Sequence, residues 1–171
     1  MAKRIFQASN FTPTATADAP TALASSSYMA IKGGSGTQRN DILDFMISGL
    51  APSTSSPTLL QFARHSTIAT TPTALAAPNS DGPTDPATAA LGAPAVTFVA
   101  AATGPQRSAA TTDARLNLSF NAQGGLIRYN SAPMQQFVIL GNTASFGEAS
   151  LSAFTGGTVG AISAHIIYEP Y

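Results

Sequence analysis

Few side chains in this sequence could do covalent chemistry. There are two histidines, His65 and His165, and eight Asp and Glu residues in all. Serine is plentiful and cysteine is absent, so thiolate metal sites, disulfides and thiol nucleophiles are excluded together. A serine hydrolase would need Ser, His and Asp brought together in the fold, yet the chain has no G-x-S-x-G turn to raise a serine above a sheet. His165 falls on the polar face of an alternating run, where a histidine ordinarily serves a surface or an interface. His65 lies in "ARHST" at a strand end with no companion. The histidines do not lie at metal-ligand spacing, and "NSDGPTD" (79–85) lacks the downstream Glu of a calcium loop, so it reads as a turn.

The glycine-rich stretch "GGSG" (33–36) poses the remaining chemical question. A phosphate-binding loop places Lys and then Ser or Thr directly after its last Gly, at the start of a helix. Here Gly36 is followed by Thr37, Gln38 and Arg39 and then by a strand pattern. A dinucleotide fingerprint fails for the same lack of a helix. The stretch reads as a turn between strands. No catalytic residue, cofactor or metal is expected, and the chain is not expected to be an enzyme.

The elements around these residues are strands. Alternation with period two marks half-buried β-structure. It appears in "RLNLSF" (Leu116, Leu118 and Phe120 on one face), in "DILDFMIS" (Leu43, Phe45 and Ile47) and in "AISAHIIYE" (Ile162, Ala164, Ile166 and Tyr168). Further strands are predicted at 28–32, 59–64, 95–101, 126–130, 137–140 and 148–154. "NAQGG" and "TGGTVG" suit hairpins, and "APSTSSP" turns the chain between Leu50 and Thr58. One short helix is predicted in "TDPATAAL", with Asp85 as cap, Pro86 in its first turn and Gly92 beyond its end. The fold class expected is all-β, a β-sandwich or jelly-roll-like barrel with one short helix. Its core is expected to hold Leu43, Phe45, Ile47, Phe62, Phe98, Leu116, Leu118, Phe120, Ile139, Leu151, Ile162 and Ile166.

Residues 1–27 differ from the remainder. "ASNFTPTATADAPTALASSS" is too poor in large apolar residues to fold by itself. Two domains of organisation are therefore expected, an extended N-terminal arm (1–27) and a β-sandwich (28–171). Phe6 and Phe11 are apolar anchors in or beside the arm, and docking on a partner or a sister subunit is the reading favoured over burial on their own domain. Arg64, Arg107 and Tyr171 are the next candidate interface positions if the arm does not carry attachment.

Composition bears on partners. Only 9% of the 171 residues are charged, against roughly 25% in ordinary proteins, and the formal net charge is zero. No electrostatic field steers nucleic acid or an anionic membrane. Interface cores are depleted in Lys, Glu and Asp, so the shortage points either to a surface covered by other proteins or to a compositional habit of the source genome. "MAKRIF" is basic, but polar "QASNFTPT" follows where a signal peptide would be apolar. The longest uncharged stretch, 86–106, is broken by Gly92, Pro94 and Gly104, so no membrane span is expected.

Several phrases resemble those of a known group: "YMAIKGGSGTQ", "QFARHSTIATTPTALAAPNSDGPTDPATAAL", "TGPQRS", "LNLSFNAQGGLIRY" and "GNTASFGEASLSAFTGG" with "SAHIIYEP". Together they are similar to the cement (decoration) proteins on the capsids of tailed bacteriophages, over nearly the whole chain after about Ser27. The resemblance implies a jelly-roll β-sandwich on the outer capsid surface of the virion. There it would clamp neighbouring major capsid protein subunits, acting as a dimer or trimer after synthesis in the host cytoplasm. The alternative is a tail- or fibre-associated β-module that binds a receptor or a carbohydrate, although Trp is absent and no aromatic ladder is visible.

Overall fold

The computed structural model describes residues 5–12, 27–32, 37, 39–50, 57–67, 73–74, 96–99, 106–107, 114–140, 148–156 and 161–170. They form twelve strands in chain order: β1 (Phe6–Thr12), β2 (Ser27–Lys32), β3 (Arg39–Leu50), β4 (Thr58–Thr67), β5 (Thr73–Ala74), β6 (Val96–Val99), β7 (Gln106–Arg107), β8 (Ala114–Phe120), β9 (Ile127–Asn130), β10 (Phe137–Leu140), β11 (Glu148–Gly156) and β12 (Ala161–Pro170). All pairings are antiparallel. The expectation of an all-β fold is met in this part of the chain. The predicted helix at 84–91 lies outside the described residues.

A five-stranded sheet runs β1-β12-β3-β10, with β9 also on β3, and a seven-stranded sheet runs β5-β6-β2-β11-β4-β7, with β8 also on β4. Successive strands are mostly in different sheets. "GGSG" connects β2 of the larger sheet to β3 of the smaller, and "APSTSSP" returns from β3 to β4. The two hairpins expected at "NAQGG" and "TGGTVG" are corrected by the pairing: β8 and β9 belong to different sheets, as do β11 and β12. Residues 122–124 make a 3-10 turn at the first of these corners. The Asn121 side chain accepts from the Gln123 N–H at 3.0 Å, and Gly125 takes φ 90°, a conformation that favours glycine.

One apolar cluster receives side chains from both sheets, including Phe6, Phe45, Ile47, Ile166 and Tyr168 from the smaller and Met29, Ile31, Leu60, Phe62 and Phe120 from the larger. Four aromatic rings close a circuit within it. Phe45 meets Phe62 at 5.5 Å, Phe62 meets Phe137 at 5.6 Å, Phe137 meets Tyr129 at 5.2 Å, and Tyr129 returns to Phe45 at 5.5 Å. Aromatic pairs at such distances contribute about 0.5–1.5 kcal/mol each beyond area burial.

Of the expected core, Phe45, Ile47, Phe62, Phe120, Ile139 and Ile166 are buried, and Leu116 and Leu118 pack partly buried against them. The side chains of Phe98, Leu151 and Ile162 lie outside the described set. Leu43 is corrected: it is half-buried, whereas Ile42 and Phe45 are fully buried. A β-bulge is the cause. Across from β3, Ile167 pairs with Asp44 and Tyr168 with Ile42, which leaves Leu43 without an opposite residue. The extra residue shifts the alternation by one, so the inward series changes phase at this point.

Phe6 is also corrected. Residues 6–12 form a full strand beside β12, with Phe6 opposite Tyr168 and Thr12 opposite Ile162. Phe6 is 2% exposed and its ring stacks on Tyr168 at 5.8 Å. An aromatic anchor that enters its own domain's core is not free to enter a partner's. The segment lacked core pattern in the sequence because its burial comes from β12, far along the chain. Residues 13–26 lie outside the described residues.

Candidate interaction surface

The bulge at Leu43 organises the best-defined polar structure of the smaller sheet. On one side of β3, β9 pairs with 44–47 and β10 with 39–42, so residues 131–136 leave the ladder between them. Ser131 clamps the gap. Its N–H donates to the Leu43 carbonyl at 2.9 Å, and its hydroxyl lies 2.8 Å from the Leu43 carbonyl and 3.1 Å from that of Ile42. The excursion then turns at Ala132–Gln135, closed by Gln135 N–H to the Ala132 carbonyl at 3.0 Å. Pro133 pre-sets the first corner, and Met134 takes φ 66° at a position where glycine is usual. Met134 is 96% exposed. A large apolar side chain therefore stands in solvent on a strained backbone.

Asp44, beside the bulge, is buried although it lies next to an exposed partner. Arg128 donates to the same Asp44 carboxylate oxygen from Nε at 2.8 Å and from an Nη at 2.5 Å, while Asn130 Nδ2 stands 3.4 Å away. The other oxygen, Oδ1, is buried with no hydrogen-bond partner. The hydrogen bond to Asp44, and then its charge, raise the Arg128 pKa.

On the outward face, Ser9 Oγ of β1 lies 2.5 Å from His165 Nδ1 of β12. The pair joins the two strands at an exposed position. It is a contact between neighbouring strands. In the core, both side-chain atoms of Asn40 and the Tyr168 hydroxyl are buried without partners, and burial pushes the Tyr168 pKa well above the ordinary phenol value. Among the described residues, no group of three or more His, Asp or Glu side chains is placed to hold a metal ion. No helix among them is long and apolar enough to cross a membrane.

The sequence-derived interface positions do not converge on one site. Phe6 is core. Phe11 pairs through its backbone with Ser163 on β12, and its side chain lies outside the described set. Arg64 is half-buried on β4, opposite Ala149, and takes part in an interaction. Arg107 is in β7, across from His65. Thus Arg64 and Arg107 share one end of the β4 ladder in the larger sheet, while Phe11 belongs to the smaller. Tyr171 lies outside the described residues. Sequence reasoning missed Met134: "SAPMQQ" carries a Pro-containing turn signal, but nothing in it shows that the methionine faces solvent.

No protein-family model matches the chain, and no curated protein sequence matches it significantly.

Proposed function

We propose that this chain is a structural protein of a virus particle, a cement (decoration) protein of the tailed-bacteriophage kind. In this reading it sits on the outer capsid surface, clamps neighbouring major capsid protein subunits and associates with itself as a dimer or trimer. The two sheets then form a β-sandwich of jelly-roll type, a reading supported by the contacts of Phe62 with Phe45 and Phe137 across them.

The observation that carries the proposal is the chemistry of the surface. Charge is scarce at 9% of residues. Leu43, Met46 and Ile167 are only partly buried on β3 and β12, and Met134 stands bare at the tip of its excursion. Such a surface is suited to burial against other proteins. A shell under pressure from packaged DNA gains from many copies of a modest bridging contact.

The test is to mix the purified chain with capsids assembled from the major capsid protein and count bound copies. Hundreds per particle, together with a higher temperature of capsid rupture, support the proposal. A few copies confined to the tail would favour the receptor- or carbohydrate-binding module. No binding to any part of the particle would end both readings.

A further inference from the structure

We infer that Met134 is a modification site, oxidised to the sulfoxide by hydroperoxides in the folded chain. The change turns the tip of the 131–136 excursion from apolar to polar and leaves the fold intact. The site stands on the geometry of the tip, and its test needs no capsid.

The chain has four methionines, and three have described surroundings. Met29 is 4% exposed within the apolar cluster. Met46 is partly buried on β3, between His165 of β12 and Arg128 of β9 in register. Met134 is 96% exposed. Met1 lies outside the described residues. Oxidation of a thioether by a hydroperoxide is a displacement at oxygen. A sulfur lone pair attacks the terminal peroxide oxygen, and the S–O bond forms as the O–O bond breaks. The hydroxyl proton passes to the departing oxygen. The sulfur loses two electrons, and the reduced peroxide leaves as an alcohol or as water. Charge separates along this path, so water around the sulfur favours the step and apolar packing opposes it. The product side chain is polar and chiral.

The excursion keeps its shape without the methionine side chain. Ser131 is bound through its N–H and hydroxyl to the carbonyls of Leu43 and Ile42, and the Gln135 N–H closes on the Ala132 carbonyl. Pro133 fixes its own φ. These constraints hold Met134 at φ 66°. A bare side chain loses no packing when its sulfur gains an oxygen, whereas the same change at Met29 would bury a polar group in the core. Ala132, Pro133 and Gln135 are themselves exposed and uncharged, so they neither shield the sulfur nor repel an oxidant. In the proposed function this tip is one of the apolar points that meet the capsid. There the sulfoxide would weaken attachment, a consequence that rests on that reading while the site itself does not.

The test treats the folded full chain with dilute hydrogen peroxide and follows each methionine by tandem mass spectrometry of proteolytic fragments. Met134 should convert roughly tenfold faster than Met29 or more, with Met46 between them. In concentrated urea the rates should converge, because the fold sets the difference. Met134→Leu should abolish the fast gain of oxygen in the fragment spanning 129–140. Circular dichroism of the wild-type chain, stopped when Met134 has reacted and Met29 has not, should match the untreated chain. Three results would overturn the inference: Met134 converting no faster than Met29, Met134 reacting quickly only in urea, or loss of the fold when Met134 has reacted and Met29 has not. Repeating the treatment on capsid-bound chain separates the two readings. Protection of Met134 there supports attachment through the tip, and unchanged oxidation rejects that contact while retaining the site.

Discussion

Tyr168 lies in the core with its ring stacked on Phe6 and its hydroxyl without a partner. A buried polar group left in this state costs about 1–3 kcal/mol, so Tyr168→Phe should raise stability by an amount of that order in urea unfolding. The same hydroxyl sets an alkaline limit. Its folded pKa is raised by burial, while in the unfolded chain it ionises near the ordinary value of about 10. Below that pH the phenol is neutral in both states and its contribution is constant. Above it the unfolded state releases a proton that the folded state retains, so stability falls as pH rises. Tyr168→Phe should flatten that alkaline decline, measured as urea midpoints between neutral and strongly basic pH. Met134 offers a second test at this scale. Its backbone adopts a conformation costing a non-glycine residue roughly 1–2 kcal/mol, and its side chain makes little contact to offset this. Met134→Gly should leave stability unchanged or raise it by up to about 1 kcal/mol, since the gain is reduced by the greater freedom of glycine when unfolded. A loss above 1 kcal/mol would mean that the methionine packs within its own chain.

For the strands, β1 gives the clearest expectation. It contributes Phe6 and Ala8 to the core and covers Tyr168. Phe6→Ala should cost about 3–5 kcal/mol. Deleting residues 2–12 should lower the melting temperature by roughly 10 °C or more, followed by circular dichroism, where a free arm would leave it unchanged. Much of the strand content was legible in the sequence, because alternating residues such as Leu116, Leu118 and Phe120 report a half-buried face directly. Partners were not legible. Alternation states which side chains share a face but not which strand lies alongside, so "NAQGG" and "TGGTVG" read as hairpins although each crosses between sheets. The phase change at Leu43 was hidden for a related reason: an inserted residue leaves the local pattern intact on either side and appears only against β12. Phe6 escaped because its burial depends on a strand far away in sequence. The excursion at 131–136 was visible only as a turn, since its meaning comes from the ladder it interrupts.

Over the whole molecule, the scarcity of charge makes a prediction about conditions. With zero formal net charge and 9% charged residues, folding should depend weakly on ionic strength, and so should the proposed attachment to a capsid. In the proposed role, retention on particles should change little between low and high salt, measured by co-sedimentation; a steep loss with salt would place the proposed attachment on the few arginines and lysines instead. The pairing of β1 with β12 has a consequence in time. The smaller sheet takes its first strand from residues 6–12 and its innermost neighbour from residues 161–170. On the ribosome, β1 emerges before β12 and has no β12 to lie against until the whole intervening chain has been made. Phe6 and the uncharged edge beside it must wait in the open through that interval, when pairing with another nascent chain is the competing outcome. Contacts this distant also slow the search for the native pairing. Synthesis rate and local crowding of ribosomes, more than the stability of the finished fold, should therefore govern how much of this protein reaches its native state.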